Sequence, residues 1–284
     1  MEEPEQLVTN VIPRPDDRMD EMAPALQVFQ CPATATLIAI FFVIYLVSWQ
    51  RRVSPEAVSF SYRKVVEKGE LWRAFTASVT HLDLVHIIFN TTSLWACKAC
   101  ETELGSRRYL VTSLQFLVFQ RAFLLAVYHY LVQRGLAALA DQASVGYSGV
   151  AFSWVTVMAL QKDAPPRRLP GGFVVSSPSA VLFSLIATKL LVRRSSFMGH
   201  LGGIAGGLAF MLGAFSSLDE GFWLWASLAW LAALLGTSLK ATTRVPVPFI
   251  DYVNVSRHEV EGVEVTPYQW GDRAILEGLV LNNV

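Results

Sequence analysis

Residues 146–160 place a serine between glycines at the mouth of a hydrophobic helix: Gly146-Tyr147-Ser148-Gly149, then the apolar run Val150-Ala151-Phe152-Ser153-Trp154-Val155-Thr156-Val157-Met158-Ala159-Leu160. Glycine lets the backbone approach a neighbour closely. The first N–H groups of the helix lack intrahelical acceptors, and the positive end of the helix dipole favours a developing anion there. The plain reading of Ser148 is an N-cap. The surrounding chain argues for more than that.

The chain has 284 residues, 53% hydrophobic and 12% aromatic, with only 16% charged and a mean hydropathy of +0.40. Soluble domains carry about 25% charged residues, so a multi-pass membrane protein is expected. Net charge is zero but unevenly spread: residues 1–30 hold seven acids against two bases, and residues 241–284 hold six against three. The eighteen basic and ten acidic residues that remain lie between apolar runs. That pattern suits anionic headgroups and makes the lipid bilayer the expected partner; it does not form the continuous basic stripe of a nucleic-acid binder. Three cysteines, Cys31, Cys97 and Cys100, cannot build a disulfide framework. The C-x-x-C pair falls in an apolar helix and reads as packing residues, so no metal and no cofactor is expected. The acidic, polar N-terminus lacks the pattern of a secretory signal or mitochondrial presequence.

Residues 1–30, with four prolines, read as a disordered acidic tail. Membrane-length or near-length apolar runs follow at 33–49, 84–99, 109–133, 148–160, 179–192 and from 197 onward. Residues 53–80 interleave aromatic and basic side chains, as an interfacial segment does. A further run at 224–239 reads as a seventh span within 219–240, before a polar tail at 241–284. The expected fold is all-α, a polytopic transmembrane helix bundle whose main unit covers 31–218.

Several polar residues interrupt these spans. His86 and Asn90 are four apart and share a helical face, with Asp83 placed to cap that helix. Arg121 sits in the middle of the third span, where a cation must face the protein interior, a partner or water. Its expected partner is Glu101 or Glu103. His200 is followed by Gly203 and Gly207 on the same face, and Gly199, Gly203 and Gly207 form a small-x-x-x-small row that admits a neighbouring helix closely. A serine at a glycine-rich helix start needs a general base, which a packed histidine supplies. An acyl-transfer site also needs donors for an oxyanion, and the Ser148 N–H, His86 and Asn90 qualify.

Together these residues resemble the rhomboid intramembrane serine proteases, over roughly residues 33–215. Trp72-Arg73 is similar to the Trp-Arg pair of the family's first loop. His81, His86 and Asn90 are similar to its H-x4-H-x3-N stretch, Gly146-Tyr147-Ser148-Gly149 to its G-x-S-G turn, and His200, Gly203 and Gly207 to its H-x2-G-x3-G signature. Two positions depart from the family pattern: Glu103 stands where the E-x-R-x-G stretch has arginine, and Phe152 stands where a tyrosine often stacks on the histidine. The resemblance implies a serine-type endopeptidase of transmembrane protein substrates, with Ser148 and His200 as dyad and His86 and Asn90 at the oxyanion. Trp72, Arg73, His81, Gly146, Gly149, Phe152, Gly203 and Gly207 are then structural support. The competing reading is a catalytically silent rhomboid-like or derlin-like adapter for membrane clients; such relatives typically lack a dyad member or carry proline before the serine position, here Tyr147. A transporter would show internal repeats, and none is evident. For a eukaryotic source the implied location is a secretory-pathway membrane (ER or Golgi) or the plasma membrane.

Overall fold

The computed structural model describes residues 24–215 except 163, 169–171 and 193–194, together with isolated residues between 221 and 232. The expected tail at 241–284 and most of the expected seventh span lie outside the described residues. So do residues 1–23.

The described chain is helical throughout, apart from one two-residue hairpin and one isolated bridge. Helix α1 (Pro24–Gln30) leads into α2 (Pro32–Gln50). The tail expectation reached residue 30, so α1 is a correction: the chain already turns helical at Pro24, and the Cys31 N–H closes on the Gln27 carbonyl at 3.1 Å. The first loop folds into α3 (Pro55–Val58), a π-turn (Arg63–Glu67) and α4 (Arg73–Val79). Then come α5 (Leu84–Ala96), α6 (Lys98–Leu104), α7 (Ser106–Gln133) and a 3-10 turn (Ala137–Asp141). Next are α8 (Ser148–Ala159), strands β1 (Arg167–Arg168) and β2 (Val174–Val175), α9 (Ser177–Leu191) and α10 (Phe197–Met211).

Among the described residues two helices, α2 and α7, are long and apolar enough to cross a bilayer. Only 22% of the apolar window of α2 is buried against 50% for α7, which makes α7 the central post and α2 a peripheral one. Around α7 pack α8 and α10, both apolar but only 12 and 15 residues long. At 1.5 Å per residue α8 spans about 18 Å, well short of a hydrocarbon core of about 30 Å. Ser148, at the start of α8, is partly buried.

Aromatic side chains hold the centre. Trp154 stacks on Tyr109 at 4.9 Å and meets the edge of Phe116 at 5.0 Å, and its indole N–H donates to Ser113 Oγ at 2.9 Å. Burying Trp without a partner for its N–H costs stability, and Ser113 supplies that partner. Cys97 and Cys100 are free thiols inside this same core. The first loop builds a second cluster: Phe60, Tyr62, Val65, Ala74 and Ala77 pack on Leu124 and Tyr128 of α7. Part of the apolar side of that loop thus turns onto the bundle, while Val66 and Leu71 stay exposed.

Two buried charges organise the ends. Glu101, 1% exposed, accepts from the backbone N–H groups of Ala33 (2.8 Å) and Thr34 (2.7 Å) and from Ser106 Oγ (2.6 Å). A carboxylate at the N-terminus of α2 satisfies orphan donors and complements the helix dipole. Arg121 faces the interior as expected, with a different set of partners. It donates to Ser78 Oγ (3.1 Å from Nε) and Ser144 Oγ (3.4 Å from Nη1) and lies 4.7 Å over the Phe60 ring. This corrects the pairing with Glu101 or Glu103. Glu101 is committed to capping α2, and Arg121 ties α7 to the first loop and to the segment before Ser148.

Candidate active site

Ser148 begins α8 as its first helical residue; the N-cap is Tyr147, and its side chain makes no capping bond. The N-cap reading of Ser148 is therefore replaced. Its Oγ lies 2.8 Å from His200 Nε2 on α10. Both residues line a cavity of roughly 350 Å³ shared with His86 and Asn90 of α5 and with Phe183 and Thr188 of α9.

The glycines account for how close these parts come. Gly146 has φ +100°, a conformation that side chains rarely adopt, and its N–H donates to the Ala77 carbonyl at 2.8 Å. A Cβ there would sit 2.6 Å from His86 Nε2, so the bare backbone is what admits the imidazole. A Cβ on Gly203 would strike the Gly149 carbonyl oxygen and lie 2.9 Å from its carbon; one on Gly207 would lie 2.5 Å from the Ser153 carbonyl oxygen. Helices α8 and α10 therefore meet backbone to backbone along the glycine row. Ser153 stitches the contact, its Oγ donating to the Gly203 carbonyl at 2.8 Å.

His200 is 1% exposed, and its ring stacks on Phe152 with centroids 4.6 Å apart and an interplanar angle of 25°. Phe152 thus keeps the flat face that positions the imidazole. His200 Nδ1 has no hydrogen-bond partner among the described residues, so packing alone orients the ring there. Across the cavity the Asp83 carboxylate caps α5 as expected, accepting from the His86 N–H at 2.6 Å. Asn90 Nδ2 donates one proton to the His86 carbonyl at 2.9 Å, and an amide nitrogen carries two. Asn90 itself is one of the residues lining the cavity.

The remaining support residues lie one layer out. His81 is fully buried, 5.2 Å from the Phe41 ring and 5.3 Å edge-on to His86. Arg73, packed 4.4 Å over Trp72, donates to the carbonyls of Ala57 (2.7 Å), Glu56 (3.0 Å) and Ser59 (3.2 Å) and pairs with Glu70. It pins the first loop against the bundle. Gln120 and Ser153 were not singled out by sequence reasoning, although a glutamine in a central apolar span is itself a signal. Among the described residues no three His, Cys, Asp or Glu side chains converge as a metal centre would need.

The fold and site define a helical membrane bundle that brings a serine and a histidine to hydrogen-bond distance on the wall of a cavity. The Rhomboid domain model matches residues 68–217, and the chain belongs to the rhomboid family. It is similar to Rhomboid-like protein 15 of Arabidopsis thaliana, 26% identical over 71% of this chain and 52% of that protein. It is also similar to Rhomboid-like protein 14, mitochondrial, of the same plant, 30% identical over 66% and 58%. Human Rhomboid-related protein 4 is 30% identical over 56% and 51%. The chain spans a little over half the length of these curated relatives.

Proposed function

We propose that this protein is an intramembrane serine endopeptidase that cleaves transmembrane protein substrates with a Ser148–His200 dyad. The observation that carries the reading is the 2.8 Å pair of Ser148 Oγ and His200 Nε2 on the wall of a cavity also lined by His86 and Asn90.

With Nδ1 protonated, His200 Nε2 accepts the Ser148 proton as Oγ attacks the scissile carbonyl carbon. The oxygen that becomes negative receives hydrogen bonds from the Ser148 N–H at the start of α8, from Asn90 Nδ2 and from His86. Collapse of the tetrahedral species breaks the C–N bond, and His200 returns its proton to the departing amine. Water entering the cavity then attacks the ester carbon as His200 takes one of its protons; the acyl C–Oγ bond breaks, His200 passes that proton to Ser148 Oγ, and the carboxylic product leaves.

The substrate class follows from the setting. The cavity is lined by side chains of α5, α8, α9 and α10, a setting that suits a client segment delivered within the membrane and unwound to present its carbonyl. We place the chain in a secretory-pathway or plasma membrane; cofractionation with mitochondria would assign it instead to the compartment in the name of the plant relative. The test of activity uses purified full-length protein in detergent or vesicles with a generic transmembrane substrate. Cleavage by the wild type and its loss in Ser148→Ala support the peptidase. Client binding with no cleavage by the wild type would instead favour the adapter.

A further inference from the structure

Ser148 and His200 sit on different helices, which the glycine row lets approach and which Ser153 and Phe152 join by one hydrogen bond and one ring stack. A helix with side chains has a radius of about 5–6 Å, so turning α10 by about 10° sweeps the imidazole by about 1 Å. Catalytic geometry tolerates little of that: a misplacement of about 1 Å can cost about 10²-fold in rate.

Gln120 of α7, 4% exposed, lies behind both residues. Its Nε2 donates to the Gly199 carbonyl at 2.9 Å, one residue before His200. The same carboxamide fills the space over Gly149, one residue after Ser148, where a Cβ would collide with it; a Cβ on Gly202 would lie 3.3 Å from Gln120 Cγ. One side chain thus touches the neighbour of the serine and the neighbour of the histidine. Packing alone would be served by leucine or methionine, and a buried amide is costly without its bonds. The polar group is what makes the contact with Gly199 directional.

We infer that Gln120 is a positioning residue that sets the separation and orientation of Ser148 and His200, acting through the backbone at Gly149 and Gly199. The inference rests on the peptidase reading and extends it to a residue that touches no reacting atom. Gln120→Met keeps the length and removes the donor. In the purified full-length chain it lowers kcat and the second-order rate of fluorophosphonate labelling about tenfold together, with KM within twofold. Glu101→Ala, which strips the acceptors from the N-terminus of α2 and touches neither α8 nor α10, lowers the thermal midpoint while labelling stays within twofold of wild type. If Gln120→Met is not recovered folded, Gln120→Asn, whose amide is one methylene short of Gly199, is measured in the same way with the same expectation. Labelling and kcat unchanged at a lowered midpoint would overturn the inference and leave Gln120 a packing residue. A wild type that neither cleaves nor labels would refute the peptidase reading instead. The positioning claim is then read from disulfide formation between S148C and H200C, slower after Gln120→Met if it holds and equal in rate if it does not.

Discussion

Gly203→Ala is the substitution that most directly couples the packing of the bundle to its chemistry. The added methyl would face backbone only: the carbonyl oxygen of Gly149, its carbon at 2.9 Å and the Gly149 Cα at 3.1 Å. No rotamer change can clear backbone atoms. Carbon pairs rest at about 3.5–4.0 Å, so α10 must move from α8 by at least about 0.6 Å, and further to clear the oxygen. Ser148 and His200 lie on these two helices, so their 2.8 Å contact opens beyond hydrogen-bond length. Overpacking of this kind costs about 1–3 kcal/mol, and the displacement lowers turnover by about 10²-fold. The assay pairs a thermal melt of the detergent-solubilised protein with cleavage of a transmembrane substrate, and Gly206→Ala serves as the comparison. There the Cβ would meet side-chain atoms at milder distances, Ser153 Oγ at 3.2 Å and Phe119 Cδ1 at 3.3 Å, and activity is largely kept. Folded Gly203→Ala with turnover within twofold of wild type would refute the claim that this helix contact sets the dyad.

Ser148→Ala and His200→Ala each abolish cleavage, and the double variant is no worse than either single one because both disable the same step; the check is turnover at matched folded protein. Asn90→Ala lowers kcat about 10–100-fold with KM little changed, since an oxyanion donor acts mainly in the transition state and two other donors share the load; a tenfold rise in KM at constant kcat would make Asn90 a substrate-binding residue. Glu101→Ala strips the α2 N-terminus of its acceptors and costs about 2–4 kcal/mol, read as a lowered thermal midpoint; Glu101→Gln recovers part of it. The expected seventh span puts Asn254 of the Asn254-Val255-Ser256 sequon on the lumenal side if the N-terminus is cytosolic, so an Asn254-dependent endoglycosidase shift in eukaryotic cells checks the topology.

The candidate site residues and the glycines around them are legible because each leaves a local mark. Ser148 stands in a glycine turn, His86 and Asn90 repeat at four residues, and His200 heads a glycine row. Helix periodicity converts such spacings into shared faces. The contacts that hold these helices together leave no such mark. Gln120 meets the Gly199 carbonyl 79 residues away, and Ser153 meets the Gly203 carbonyl 50 away. A side chain bonding to a backbone carbonyl places no constraint on the residue type at the far end. Arg121 shows the same limit: charge logic sought an acid, whereas two serine hydroxyls and the Phe60 ring surround the guanidinium. Glu101, freed from that pairing, caps the N-terminus of α2, 67 and 68 residues back along the chain.

The central claim, that Ser148 is an activated nucleophile, is tested most directly by reacting the full-length protein with a fluorophosphonate and locating the adduct by peptide mass mapping. The account predicts one adduct per chain, on Ser148, blocked in His200→Ala and accompanied by loss of transmembrane-substrate cleavage. Cleavage that persists in Ser148→Ala, or an adduct that forms at full rate on another serine while Ser148 stays unmodified, would contradict it.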